Sequence, residues 1–118
     1  MIVKNPAGRA GFREDKMGKT DLARGKHLFA GLNAFEPGQQ HEPHAHCDRD
    51  KIYVVLAGEG EVRVGSETSA VGPGDMALAP AGVTHSMRNT GAARLVAMVV
   101  MGPPPPEAGP CDHTDGKE

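Results

Sequence analysis

The chain has 118 residues and a formal net charge of −2, with its acidic and basic residues interspersed. This length fits one small domain, and the charge offers no broad basic surface for a nucleic-acid backbone. Three Phe, one Tyr and no Trp leave few rings on which bases could stack. The sequence has no apolar run long enough to span a bilayer and no signal-peptide core near Met1. We therefore expect a cytoplasmic protein without nucleic-acid or membrane partners.

Cysteine usage agrees with that compartment. The two cysteines, Cys47 and Cys111, are too few for a disulfide framework. The sequence therefore predicts a reduced protein, in which Cys47 is an ordinary turn residue or a thiol activated by the neighbouring Arg49.

Short apolar segments separated by Gly and Pro begin at Lys26, after a polar stretch in which residues 1–20 carry weak strand signals at best. The predicted strands are residues 26–35, 40–46, 52–56, 61–64, 69–71, 75–79, 85–89 and 94–101. Their spacing of about ten residues, without a 3.6-residue period, indicates an all-β sandwich or barrel. The apolar runs 52–56 and 95–100 are typical of strands covered on both faces.

The character of the chain changes again after Met101. Four consecutive prolines open residues 103–118, which have almost no apolar content. Such a composition favours extended polyproline conformation and cannot bury enough surface to order itself. We predict a flexible tail here, in which Cys111, Asp112 and His113 are solvated.

Two histidine-bearing segments carry the candidate chemistry. His44 and His46 are two residues apart, so on a strand their side chains share one face. His85 lies on a later predicted strand and could add a third imidazole from across a barrel. Neutral imidazole binds Zn, Cu, Fe and Ni, and a three-His centre leaves coordination positions open. His41 has the opposite parity to His44, so we expect it to be an exposed strand residue.

With these motifs the chain resembles the cupin family. The first family motif is matched by Gly38, His44, His46 and Gly58. The second is matched in full by Gly74, Pro80, Gly82, His85 and Asn89. The resemblance covers about residues 26–101 and implies a double-stranded β-helix, or jelly-roll barrel, over residues 26–102. It also implies a homodimer, for which residues 1–25, as an N-terminal extension, are the candidate contact.

The sequence departs from the family at the glutamate of the first motif. That position falls on Lys51 when counted back from Gly58, and on Asp50 when counted forward from His46. A protonated lysine cannot be a ligand, and its charge would oppose a metal cation. The candidates for the fourth ligand are Asp50, then water, then Glu42, which shares the parity of His44.

The resemblance implies a metal-binding barrel that acts on a small organic molecule. We expect one divalent transition metal per chain (Fe, Mn, Ni, Cu or Zn), with dioxygenase-type or metal-assisted isomerase or lyase chemistry. Lys51 and Tyr53 are the candidates for proton transfer, since a lysine shielded from water near a cation loses its proton more readily. Met87 and Glu42 are candidate pocket residues. The alternatives are a non-catalytic barrel that binds or senses a small molecule, with or without a structural metal, and a metal-free storage barrel.

Overall fold

The computed structural model describes residues 1–105, and the elements in this range are antiparallel strands after one short 3₁₀ turn at Pro6–Arg9. The strands are β1 (Gly18–Arg24), β2 (Phe29–Phe35), β3 (Gln40–His44), β4 (Asp50–Ala57), β5 (Gly60–Val64), β6 (Glu67–Val71), β7 (Met76–Ala79), β8 (His85–Asn89) and β9 (Leu95–Gly102). Among the described residues, no helix is long and apolar enough to cross a membrane.

The strands form two sheets with a shared core. One sheet has the order β1-β2-β9-β4-β7 and the other β3-β8-β5-β6. Tyr53 and Val55 of the first sheet pack with Val62 and Met87 of the second. Alternate residues of β4 face this core, as the two-residue period of a strand requires. The prediction of an all-β, double-stranded barrel is confirmed.

Each predicted strand has a counterpart, but β1 was missed. This strand is at the edge of its sheet, where it pairs with β2, and only Gly18 and Leu22 of it are buried. A strand with so little buried surface keeps a polar sequence, so it carries little strand signal. Leu22 packs with Leu32 and Val96 in a second apolar cluster. The N-terminal extension is thus part of the same barrel, and its role in a homodimer stays a prediction.

The first residues of the predicted tail are packed against the barrel. Pro105 is buried, and its carbonyl oxygen accepts a hydrogen bond of 3.1 Å from Nη2 of Arg24. The rest of the predicted tail, including Cys111, Asp112 and His113, lies outside the described residues.

A β-bulge in β3 positions two histidines. His41 pairs with Met87 and His44 with His85, so three steps along β3 match two steps along β8. The extra residue cancels the alternation, and both His41 and His44 are buried. The prediction that His41 is an exposed residue was therefore wrong, because parity counting does not hold across a bulge.

The turn between β4 and β5 depends on glycine. Gly58 has φ of 81°, and a Cβ there would collide with the carbonyl oxygen of Arg94 and lie 2.8 Å from Cα of Leu95. Gly38 has φ of 86°, but no described atom lies within 4 Å of the Cβ position. The two positions share a backbone conformation and differ in available space.

We expect Gly58→Ala to lower the free energy of unfolding more than Gly38→Ala. Both variants place alanine in the left-handed region, which costs about 1–2 kcal/mol. Gly58→Ala also forces rigid backbone apart, which adds about 1–3 kcal/mol. Urea unfolding of the two variants measures the difference, and equal losses would contradict the close approach.

Candidate metal centre

Three buried imidazoles meet at one end of the four-stranded sheet. His44 ends β3, His85 begins β8 directly opposite it, and His46 follows two residues after β3. One ring nitrogen of each lies within 4.8 Å of the others, and the Nε2 atoms of His44 and His46 are 3.1 Å apart. The structure thus brings together the three histidines that the sequence singled out.

Backbone carbonyls orient two of these rings. Nδ1 of His44 donates to the carbonyl oxygen of Glu42 at 2.9 Å, and Nδ1 of His85 donates to that of Val83 at 3.0 Å. Because a neutral ring carries one proton, each Nε2 then presents a lone pair. Nε2 of His85 is buried and has no hydrogen-bond partner among residues 1–105. An orphaned lone pair beside two other imidazoles is what a metal ligand offers, so the cluster is able to hold a metal ion.

The protein interior keeps His85 neutral. Burial lowers the pKa of His85 to about 3, and the charge of Lys51 and the neighbouring imidazoles act in the same direction. A histidine must be deprotonated to bind a metal, so His85 is in its ligating state at neutral pH.

Lys51 and Tyr53 project from β4 of the facing sheet into the same interior. Both are fully buried. Nζ of Lys51 lies 4.8 Å from the centre of the Tyr53 ring, which is 6.0 Å from the His85 ring. The residue at the glutamate position of the motif therefore faces inward, as a lysine.

The structure does not bring the predicted carboxylate ligands to the imidazoles. Asp50 is exposed, and its Oδ1 accepts a hydrogen bond of 2.9 Å from the backbone N–H of Ala81. Glu42 is exposed and accepts a hydrogen bond of 3.1 Å from Nε2 of Gln40. Asp50 points outward because it neighbours the inward Lys51 on β4. Water as the fourth ligand stays a prediction.

A cavity of about 1050 Å³ opens beside the cluster. His44 and the predicted pocket residue Glu42 line it, together with Phe12, Arg13 and the run from Lys16 to Lys19. Met87, the other predicted pocket residue, is buried in the core between the sheets. A small molecule that enters this cavity would reach the imidazole cluster from the side of His44.

Sequence reasoning missed the role of Arg49 at this site. Arg49 is 2% exposed, and its Nη1 lies 2.7 Å from Nδ1 of His46. Its Nη2 lies 3.5 Å from the carboxylate of Asp48. This contact with His46 forms because the loop after β3 folds back on itself, and no sequence pattern shows such a loop conformation.

Asn89, the last residue of the second motif, has a structural role. Its amide donates to the carbonyl oxygens of Phe35 and Ala93 at 3.0 and 2.9 Å, and its Oδ1 accepts from the N–H of Gly91 at 2.9 Å. The residue is buried and ties β8 to the end of β2.

The state of Cys47 differs from the prediction. Cys47 is disulfide-bonded, so the expectation of a reduced thiol was wrong for this residue. A count of cysteines does not show which sulfur atoms meet in the folded chain. The other cysteine of the sequence, Cys111, lies outside the described residues.

The low pKa of His85 predicts a dependence of stability on pH in the metal-free protein. An unfolded histidine binds a proton near pH 6.5, whereas folded His85 does so near pH 3. The unfolded state therefore holds more protons between these values, and stability falls as pH drops from about 6.5 towards 3. Thermal unfolding of chelator-treated protein should show a steeper decline in wild type than in His85→Gln. The control His27→Gln, which changes an exposed histidine, should keep the wild-type slope, and equal slopes in all three proteins would contradict the assignment.

Comparison with known proteins agrees with this architecture. Residues 31–101 match the family model described as the cupin domain. An uncharacterized protein of Streptomyces coelicolor is 34% identical over 83 residues, which cover 69% of this chain and 75% of that protein. The crystal structure of TT1209 from Thermus thermophilus superposes with a TM-score of 0.84 at 37% identity, covering 89% of this chain and 100% of the other.

A proposed sugar phosphate isomerase of Acidithiobacillus ferrooxidans is also similar. The two proteins are 29% identical and superpose with a TM-score of 0.59, and the match covers 64% of this chain and 50% of the Acidithiobacillus ferrooxidans protein. The family match spans more than half of the chain and includes both histidine motifs. The chain belongs to the cupin family.

Proposed function

We propose that this cupin is a metal-dependent isomerase or lyase that acts on a small organic molecule with a carbonyl group. The observation that carries the proposal is the buried amine of Lys51 in the same interior as the three imidazoles. Isomerisation or elimination next to a carbonyl needs two parts, a group that polarises the oxygen and a group that moves a proton. Both kinds of group are present here.

His44, His46 and His85 would hold the metal, which supplies Lewis-acid polarisation of the substrate oxygen. As a neutral amine, Lys51 would take a proton from the substrate carbon, and the ammonium formed in this way would return the proton to the product. The Tyr53 ring, 4.8 Å from Nζ, would hold the ammonium form of Lys51 by a cation–π contact, and the Tyr53 hydroxyl is a second candidate for proton transfer.

The cavity beside the cluster supports a small substrate. Its volume of about 1050 Å³ is slightly above the usual range of small-molecule pockets, roughly 300–1,000 Å³, so a small substrate would fit. Its wall includes Lys16 and Lys19 as well as His44, so polar groups of a substrate would find donors there. The similarity to the proposed sugar phosphate isomerase supports a polar substrate of this kind.

Dioxygen insertion is the second candidate, because a three-His centre with open positions also suits iron or copper oxygen chemistry. That chemistry does not require a proton-transfer side chain, so the buried Lys51 favours isomerase or lyase chemistry. A barrel that only binds or senses a small molecule is the non-catalytic alternative. We also propose a homodimer in which residues 1–25 contribute to the contact.

The metal site can be tested by titration. We expect chelator-treated wild type to bind one equivalent of a transition metal per chain, because the cluster offers three nitrogen ligands. His44→Ala and His85→Ala should lose this binding, while His27→Ala, which changes an exposed histidine, should retain it. Calorimetry with Zn²⁺ and Mn²⁺ measures the stoichiometry, and equal binding by His44→Ala would exclude the site.

The role of Lys51 can be tested by substituting methionine, which keeps the length and apolar stem of the side chain. On a panel of small hydroxy-aldehydes and hydroxy-ketones in D₂O, wild type should exchange the proton next to the carbonyl. Lys51→Met should exchange this proton at a rate lower by a factor of about 10² or more, while it still binds metal. Unchanged exchange by Lys51→Met would contradict the proposal, and oxygen uptake with Fe(II) in place of exchange would favour the dioxygenase.

A further inference from the structure

We propose that Arg49 holds His46 in the tautomer that carries its proton on Nε2, and that Arg49 thereby weakens metal binding. The inference rests on the proposed metal site and assigns Arg49 as a positioning residue for one of its ligands. It explains why a buried guanidinium lies against a ring that the site needs as a ligand.

The chemistry of the two groups decides the tautomer. Arginine has only N–H donors, so Nδ1 of His46, 2.7 Å from Nη1 of Arg49, must accept the hydrogen bond. A neutral ring that accepts at Nδ1 carries its proton at Nε2. That nitrogen lies 3.1 Å from Nε2 of His44, to which it can donate.

His44 supports the same assignment from the other side. Its Nδ1 donates to the carbonyl oxygen of Glu42 at 2.9 Å, so its Nε2 is an acceptor. The hydrogen bonds therefore run in one direction, from Arg49 through His46 to His44 and on to the backbone. In this arrangement the three contacts, Arg49 to His46, His46 to His44 and His44 to Glu42, each pair a donor with an acceptor.

This chain of hydrogen bonds leaves the three imidazoles unequal. His44 and His85 each donate through Nδ1 to a carbonyl, which is the usual arrangement of a metal-bound histidine. His46 has the opposite arrangement, because a donor faces its Nδ1 and its proton lies where the metal would be. Binding through all three Nε2 atoms requires the His46 proton to move to Nδ1, where it would face the N–H of Arg49.

Burial and a second contact hold Arg49 in place beside His46. It is 2% exposed, and its other terminal nitrogen lies 3.5 Å from the carboxylate of Asp48. A guanidinium offers N–H donors and no acceptor, so it cannot accept a hydrogen bond from Nδ1–H of His46. If a metal were held through Nε2 of His46, Arg49 would have to leave Nδ1 of that ring, and this would lower the affinity of the site below what three unopposed imidazoles would provide.

The tautomer can be observed directly in the native chain. In ¹⁵N-labelled, chelator-treated wild type, long-range ¹⁵N–¹H correlation spectra show which ring nitrogen of His46 is protonated, with the signals assigned by comparison with His46→Ala. We expect Nε2–H in wild type. In Arg49→Gln the amide oxygen can accept from the ring, so we expect Nδ1–H. A wild-type His46 protonated at Nδ1 would overturn the inference without the use of any Arg49 variant.

Metal affinity provides the second measurement. Calorimetric titration with Zn²⁺ should show that Arg49→Gln binds about tenfold to hundredfold more tightly than wild type, the range typical of hydrogen-bond partners of metal ligands. Arg49→Met removes the same charge but offers no acceptor, so its affinity should lie between the two. Equal affinities in wild type and Arg49→Gln would overturn the inference. Equal gains in Arg49→Met and Arg49→Gln would assign the effect to charge alone and also overturn it.

A control separates this inference from the proposed metal site. The double variant Arg49→Gln/His44→Ala should lose Zn²⁺ binding. If it binds as tightly as Arg49→Gln, the metal site proposed above is wrong, whereas the tautomer measured by NMR still decides what Arg49 does to His46. If His44→Ala loses binding but Arg49→Gln gains none, the metal site stands and the role of Arg49 fails.

Discussion

The register between β3 and β8 is the constraint on which the site depends. The bulge in β3 places His44 opposite His85, and without it the two imidazoles would be offset by one residue and would face opposite sides of the sheet. His46 then needs only a two-residue extension beyond the strand to reach them. The ladder hydrogen bonds of two strands therefore set the spacing of the candidate ligands, and the short loop after β3 completes the cluster.

The site combines neutral nitrogen ligands with buried cations. Burial keeps His85 neutral, and the charge of Lys51 reinforces this effect. The same charge would repel a metal cation. Lys51 therefore has two opposite effects: it helps to keep His85 in the neutral form that binds a metal, and it disfavours the bound cation. A fully buried lysine in place of a carboxylate ligand is better suited to moving a proton than to holding a metal, which is why it carries the functional proposal.

The hydrogen-bond partners of the imidazoles differ in a way that the ligand set alone does not reveal. Two rings rest on backbone carbonyls, which can only accept, and the third rests on Arg49, which can only donate. The backbone partners follow from strand and turn geometry and cannot be changed by a side-chain substitution. The Arg49 partner is a side chain, so this is the part of the site that substitution can tune.

Much of this protein was determined by its sequence alone. The spacing of short apolar segments between Gly and Pro located eight of the strands, because a barrel needs frequent tight turns. The glycines of both motifs marked turns that require positive φ, and the three histidines were identified by their place in those motifs. These features are local, so they are visible in the order of residues along the chain.

Only the tertiary structure decided the rest. β1 is a polar edge strand, and a bulge, which parity counting cannot foresee, buries His41. The alternation along β4 turns Lys51 inward and Asp50 outward, and a choice between neighbouring residues needs the strand register. Arg49 meets His46 through the folding of the loop after β3. Each of these outcomes depends on contacts between parts of the chain whose relative position the residue order does not specify.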